Sequence, residues 1–190
     1  YPYVENPLLD SAYGGTFRSG GREKDMIKFM FGLPEDIKAQ MFGKITLEDF
    51  NKKLLPTNSS GLLLYRAPEF SGSVPYDEYP KKMSSSLSTI IIGDPIYKEM
   101  DDLAQRIYES IMIGNITFID SSYDFHKRVY TDPELIKMLY VSNRTELADK
   151  IKQIKENPDL RKHIVDLQRS NTKIDLNTYS KELIDICSQK

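Results

Sequence analysis

The sequence has few of the residues that most often announce a chemistry. Its 190 residues include one cysteine, Cys187, and two histidines, His126 and His163. A lone cysteine makes no internal disulfide, and no Cys/His spacing matches a zinc site, so disulfide scaffolds and zinc modules are excluded and a reducing compartment fits best. Neither sign of charge dominates: 26 Lys plus Arg against 28 Asp plus Glu leave a net charge of −2. Such a chain has no overall field to hold nucleic acid, so any such contact must be local or come from elsewhere. No apolar run approaches the ~20 residues that span a bilayer. The start, YPYVENPLL, has neither the basic flank nor the apolar run of a signal peptide. Without secretion, the N-x-[ST] sequons at Asn58, Asn115 and Asn143 carry no weight. The chain opens at Tyr1 rather than Met and reads as a fragment or processed piece.

What is present is an ordinary globular composition, 39% hydrophobic and 28% charged, on a chain long enough to bury a core. An extended stretch to Tyr13 leads into a loop with Gly14, Gly15, Gly20 and Gly21. A helical pattern follows, with Met26, Ile27, Phe29 and Met30 on its apolar face and Gly32 and Pro34 at its end. Ile37–Phe42 is a second apolar stretch, closed by Gly43. Thr46–Asp49 is a weak helix start, and that helix fades into the polar loop Pro56–Ser60. Ala67–Pro80 is broken by proline and glycine and reads as irregular. The run Ser88–Asp94 is β-branched, as in a strand buried on both faces of a parallel sheet. Met100–Ile113 reads as a helix with Gly114 at its C′ position, and Ile116–Asp120 as another strand. Asn143 with Glu146 has capping-box spacing and begins the closing helices, which break at Asn157-Pro158 and include a last pattern over Ile174–Ile186. The alternation predicts one α/β domain, a Rossmann-like and mostly parallel sheet flanked by helices.

In such sheets ligands bind at the carboxyl ends of the strands, which directs attention to the first loop. Gly14–Arg22 combines glycines that let backbone N–H groups approach an anion, the hydroxyl of Thr16, a helix N-terminus, and Arg18 and Arg22. It is neither a Walker A loop nor G-x-G-x-x-G, so a diphosphate cradle and a plain glycine-rich turn both remain open. Arg106 and Glu109 share a helix face at i, i+3. They read as a surface ion pair or, at the mouth of a parallel sheet, as a phosphate ligand beside an acid that accepts from ribose hydroxyls.

Five blocks in order, YGGTFRSGGRE (Tyr13–Glu23), APEFSGSVP (Ala67–Pro75), IIIGDPIY (Ile90–Tyr97), RIYESI (Arg106–Ile111) and YVSNRTEL (Tyr140–Leu147), extend this reading. Together they resemble the carboxy-terminal half of the DNA β-glucosyltransferase family of T-even bacteriophages. The resemblance implies half of a GT-B fold. Residues 13–170 would form the nucleotide-sugar-binding domain, 1–12 a lead-in and 171–190 a C-terminal helix. It places the UDP-sugar ligands on Gly15, Thr16, Arg18, Arg22, Val74 (through its main chain, at the uracil), Tyr97, Arg106 and Glu109. Four departures accompany it: Thr16 stands where the family has serine, Val74 where it has isoleucine, Tyr108 where it has tryptophan, and Lys52–Tyr65 is longer and differently composed, so the sugar and the acceptor stay open. The implied activity is inverting transfer of glucose from UDP-glucose to 5-hydroxymethylcytosine in double-stranded DNA. The general base, and most of the DNA contact, would lie in an amino-terminal domain outside this chain. A divalent cation, Mg or Mn, belongs to the family's chemistry, but no ligand cluster for it is visible. The resemblance further implies a monomer when full length, working in the cytoplasm of an infected bacterium.

Other readings are a related transferase with a different sugar or modified base, and a UDP-binding module without turnover. His126 and His163 read as surface or structural residues, Asp94 as a turn residue, and Lys150, Lys152 and Lys155 as a solvated helix face.

Overall fold

The computed structural model describes residues 4–15, 22–44, 48, 65–75, 77–93, 99, 106–124 and 126–171. Six strands form one sheet: β1 (Leu9–Gly14), β2 (Ala39–Phe42), β3 (Glu69–Phe70), β4 (Ser86–Ile91), β5 (Ile116–Asp120) and β6 (Tyr140–Val141). Their order is β3-β2-β1-β4-β5-β6 and every pairing is parallel. This is the doubly wound order, whose direction reverses between β1 and β4. The central strands are apolar on both faces. Ala12 and Tyr13 on β1, and Met41 and Phe42 on β2, point into different clusters, as alternation along a strand requires. The larger cluster joins α1 (Arg22–Met30) to the closing helices, and the smaller one gathers Ala12, Phe42, Tyr79, Met83 and Ile113.

Two helices lie where the sequence offered none. α2 (Tyr79–Ser84) falls in and beyond the stretch read as irregular, and α4 (Pro133–Leu139) precedes β6. In both, the proline occupies the first turn, where its missing N–H costs nothing and its fixed φ favours the helix. Asp132 caps α4, accepting from the backbone N–H groups of Glu134 and Leu135 at 2.8 and 3.3 Å. β1 occupies the extended stretch read up to Tyr13. α3 (Arg106–Ile113) ends in a Schellman turn at Gly114, whose φ is 93°. There the Gly114 N–H donates to Ile111 O (3.1 Å) and the Asn115 N–H to Ser110 O (3.2 Å).

α5 (Arg144–Glu156) and α6 (Pro158–Asn171) complete the described chain. Asn143 Oδ1 accepts from the Glu146 N–H at 3.0 Å, while the Glu146 carboxylate returns to the N–H of Ser142, one residue earlier than a capping box has it. Asn115 is fully buried, its amide donating to the carbonyls of Met83 and Ser86 at 2.9 Å. Two of the three sequons are thus structural asparagines. The lysines of α5 are partly exposed and each meets a carboxylate. Lys150 binds Glu146 at 2.8 Å, Lys152 binds Asp36 at 2.9 Å, and Lys155 binds Asp10 of β1 at 2.9 Å.

Candidate functional site

The carboxyl ends of β1 and β4 form the fork of the sheet, and the residues around it are drawn together by unusually close backbone packing. The Gly15 N–H donates to Phe42 O at 3.0 Å and the Gly43 N–H to Gly72 O at 2.7 Å, so the chain leaving β1, β2 and β3 is laced side by side. Gly43 has φ +130°, and a Cβ there would lie 1.6 Å from the Gly15 carbonyl oxygen. Only glycine fits at that point. Val74, on the segment after β3, packs against the smaller cluster, which holds Tyr79 and Phe42.

Tyr79 ties the fork to α3. A Cβ on Gly14 would meet the Tyr79 hydroxyl at 2.2 Å, so the ring lies directly over the end of β1. The Arg106 guanidinium sits above that ring, 4.0 Å from its centre. Arg106 Nη1 in turn faces Glu109 Oε2 at 3.3 Å, both half-exposed as side chains. These two atoms are shielded from water and meet at ion-pair distance, but off the line of a hydrogen bond. Burial pushes the Tyr79 phenol above its usual pKa, against the pull of the Arg106 cation, so the ring under the guanidinium stays neutral.

Of the expected site residues, the structure brings Gly15, Val74, Arg106 and Glu109 to this fork, and Arg22 opens α1, the helix that follows β1. Thr16, Arg18, Tyr97 and Asp94 lie outside the described residues, as do the helix expected from Thr46, the loop Pro56–Ser60 and the pattern Ile174–Ile186. Tyr79 went unrecognised, because nothing in its local sequence marks a ring that will stack under an arginine of a later helix. His126 and His163 are exposed, His163 lying 3.4 Å from Glu134. Among the described residues no group of three or more His, Cys, Asp or Glu side chains could hold a metal. Among them, too, no helix is long and apolar enough to cross a membrane.

A profile described as "Glycosyl transferase-like" matches residues 22–187. The chain belongs to that family. It is 31% identical over 160 residues to the DNA beta-glucosyltransferase of Enterobacteria phage T4, a match covering 84% of this chain and 42% of the relative. A crystal structure of the T4 phage enzyme with its UDP-glucose substrate superimposes with a TM-score of 0.72 at 30% identity, over 87% of this chain and 44% of that one. A second, holding UDP and Mn2+, gives 0.73 at 30% identity, over 87% and 43%. The chain thus spans somewhat less than half the length of these relatives. Its all-parallel sheet flanked by helices is the carboxy-terminal half of a GT-B glycosyltransferase fold.

Proposed function

We propose that this chain is the donor-binding half of a glucosyltransferase that takes glucose from UDP-glucose and attaches it, with inversion, to 5-hydroxymethylcytosine in double-stranded DNA. The observation that carries the proposal is the fork itself. Arg106 stands stacked on Tyr79 with Glu109 one turn along, in a chain 30% identical to an enzyme solved with UDP-glucose. In this reading Gly15, Thr16, Arg18 and Arg22 hold the diphosphate, Val74 presents its main chain to the uracil, Glu109 accepts from the ribose hydroxyls and Tyr97 lies near the donor.

The chemistry asked of these residues is stabilisation of a leaving group. The acceptor hydroxyl oxygen bonds to the sugar's anomeric carbon as the bond from that carbon to the β-phosphate oxygen breaks. The electron pair of the broken bond stays on UDP. The hydroxyl proton passes to a carboxylate in the amino-terminal half, outside these 190 residues. Negative charge therefore grows on the β-phosphate in the transition state, and arginines held beside it bind that state better than the ground state. Arg106 is suited to this because its guanidinium is fixed in orientation before the donor arrives. The intact protein would act as a monomer in the cytoplasm of the infected host, meeting DNA mainly through the other half.

Calorimetric titration with UDP tests the donor site. Arg106→Ala is expected to weaken binding by about 1.5–3 kcal/mol, the range for hydrogen bonds to charged groups. Unchanged affinity removes Arg106 from the site. In the intact protein, transfer of labelled glucose to hydroxymethylated duplex is the expected activity, and these 190 residues alone should bind UDP and transfer nothing.

A further inference from the structure

A second concavity opens on the same edge of the sheet, beyond the carboxyl ends of β5 and β6. Its volume is about 890 Å³, and Lys28, Lys127 and Lys137 line it together with the hydroxyls of Ser121, Ser122 and Ser142. Two carboxylates also face it, and both are neutralised from within. Asp120, fully buried at the end of β5, accepts from Ser122 N at 3.0 Å and Ser122 Oγ at 2.8 Å and lies 3.6 Å from Lys28 Nζ. Glu146 takes the Ser142 N–H and Lys150 Nζ, each at 2.8 Å. Burial opposes ionisation of Glu146, but these partners hold its carboxyl below the usual range.

Lys127 and Lys137 are exposed, and among the described residues neither has a carboxylate at ion-pair distance. Among those residues Lys127 is also the one non-glycine with positive φ, 51°, a conformation asparagine or glycine adopts more readily. The loop holding it there is pinned by the buried Asp124 carboxylate, which accepts from the Val129 N–H at 3.1 Å and from the Tyr140 hydroxyl. Backbone strain imposed by a buried anchor, beside a basic pocket, is the kind that gathers at binding sites.

We infer that this pocket takes a phosphodiester of the acceptor's DNA backbone, an inference that rests on the DNA-transferase reading above. Adjacent strands lie about 4.8 Å apart, so the pocket stands roughly 10 Å along the edge from the fork. At 3.4 Å per nucleotide, that is about three base steps. A duplex laid along this edge, with its reacting base at the donor, carries a phosphate over the three lysines. Ammonium groups serve as point charges that fix the duplex without reading sequence.

The test uses the intact protein with Lys127→Gln and Lys137→Gln combined, both on exposed side chains that leave the fold alone. Binding of hydroxymethylated duplex is measured over a salt series, beside a UDP titration. The expected result is weaker DNA binding, a log–log salt slope shallower by about 0.9 for the one phosphate lost, and unchanged UDP affinity. DNA affinity and slope equal to wild type, with UDP still bound, overturn the pocket's role and leave the donor site standing. A wild type that binds no UDP overturns the donor-site reading, and this one with it.

Discussion

At the scale of single residues, the candidate site depends on two close approaches. The first is Tyr79 beneath Arg106, 4.0 Å from ring centre to guanidinium. A cation held over a ring gains about 0.5–1 kcal/mol at an exposed site, and more where water is excluded. Tyr79→Leu is expected to weaken UDP binding by about 1 kcal/mol, whereas Tyr79→Phe, which keeps the ring, should retain most of the affinity. If both variants lose equally, the hydroxyl rather than the ring is the contact. The second approach is Gly43 against the Gly15 carbonyl. A Cβ 1.6 Å from a backbone oxygen has no rotamer to escape through. Gly43→Ala must therefore move the chain after β1, which carries Gly15. The expected outcome is lower thermal stability together with weaker UDP binding. A change in neither would mean that the β1 and β2 ends are less tightly laced than described.

At the scale of elements, legibility in the sequence followed burial. β4 and β5 are buried along their whole length, and their β-branched and apolar residues declared them, although β4 spans Ser86–Ile91 where the run read as strand was Ser88–Asp94. β3 and β6 have two residues each, too few for any period to show. α2 stayed hidden because Pro80 closed a stretch read as broken and irregular when it starts a helix, and α4 begins the same way at Pro133, where Asp132 was a usable cap signal. The site divides in the same way. The i, i+3 spacing exposed Arg106 and Glu109, but Tyr79 reaches them only through the tertiary fold. Asn143 is an element whose sequence signal proved sound, and its cap can be measured. Asn143→Ala removes the acceptor for the Glu146 N–H, and the denaturation midpoint should fall by the equivalent of about 1 kcal/mol, with UDP affinity unchanged because α5 starts beside β6 and away from the fork.

For the whole molecule, two buried phenols make stability depend on alkaline pH. Tyr130 is fully buried and donates to Thr117 O at 3.0 Å and Gln168 Oε1 at 3.1 Å, and burial raises its pKa well above the ordinary tyrosine value. Tyr140 is raised too, by burial first and then by its hydrogen bond to the Asp124 carboxylate, which favours the protonated phenol. Both keep their protons in the folded chain above pH ~10, where the unfolded chain releases them. The unfolded state then binds fewer protons than the native one, so stability falls as pH rises through and beyond that point, by up to about 1.4 kcal/mol per pH unit for each phenol. Below the ordinary tyrosine pKa neither group adds a slope. Urea unfolding between about pH 8 and pH 11 should show this alkaline limb. Tyr130→Phe should be less stable at neutral pH, since Thr117 O and Gln168 Oε1 lose a donor, yet its alkaline limb should be shallower than wild type. An equally steep limb in that variant would show that Tyr130 already ionises in the native fold, and that the buried network around Gln168 admits water.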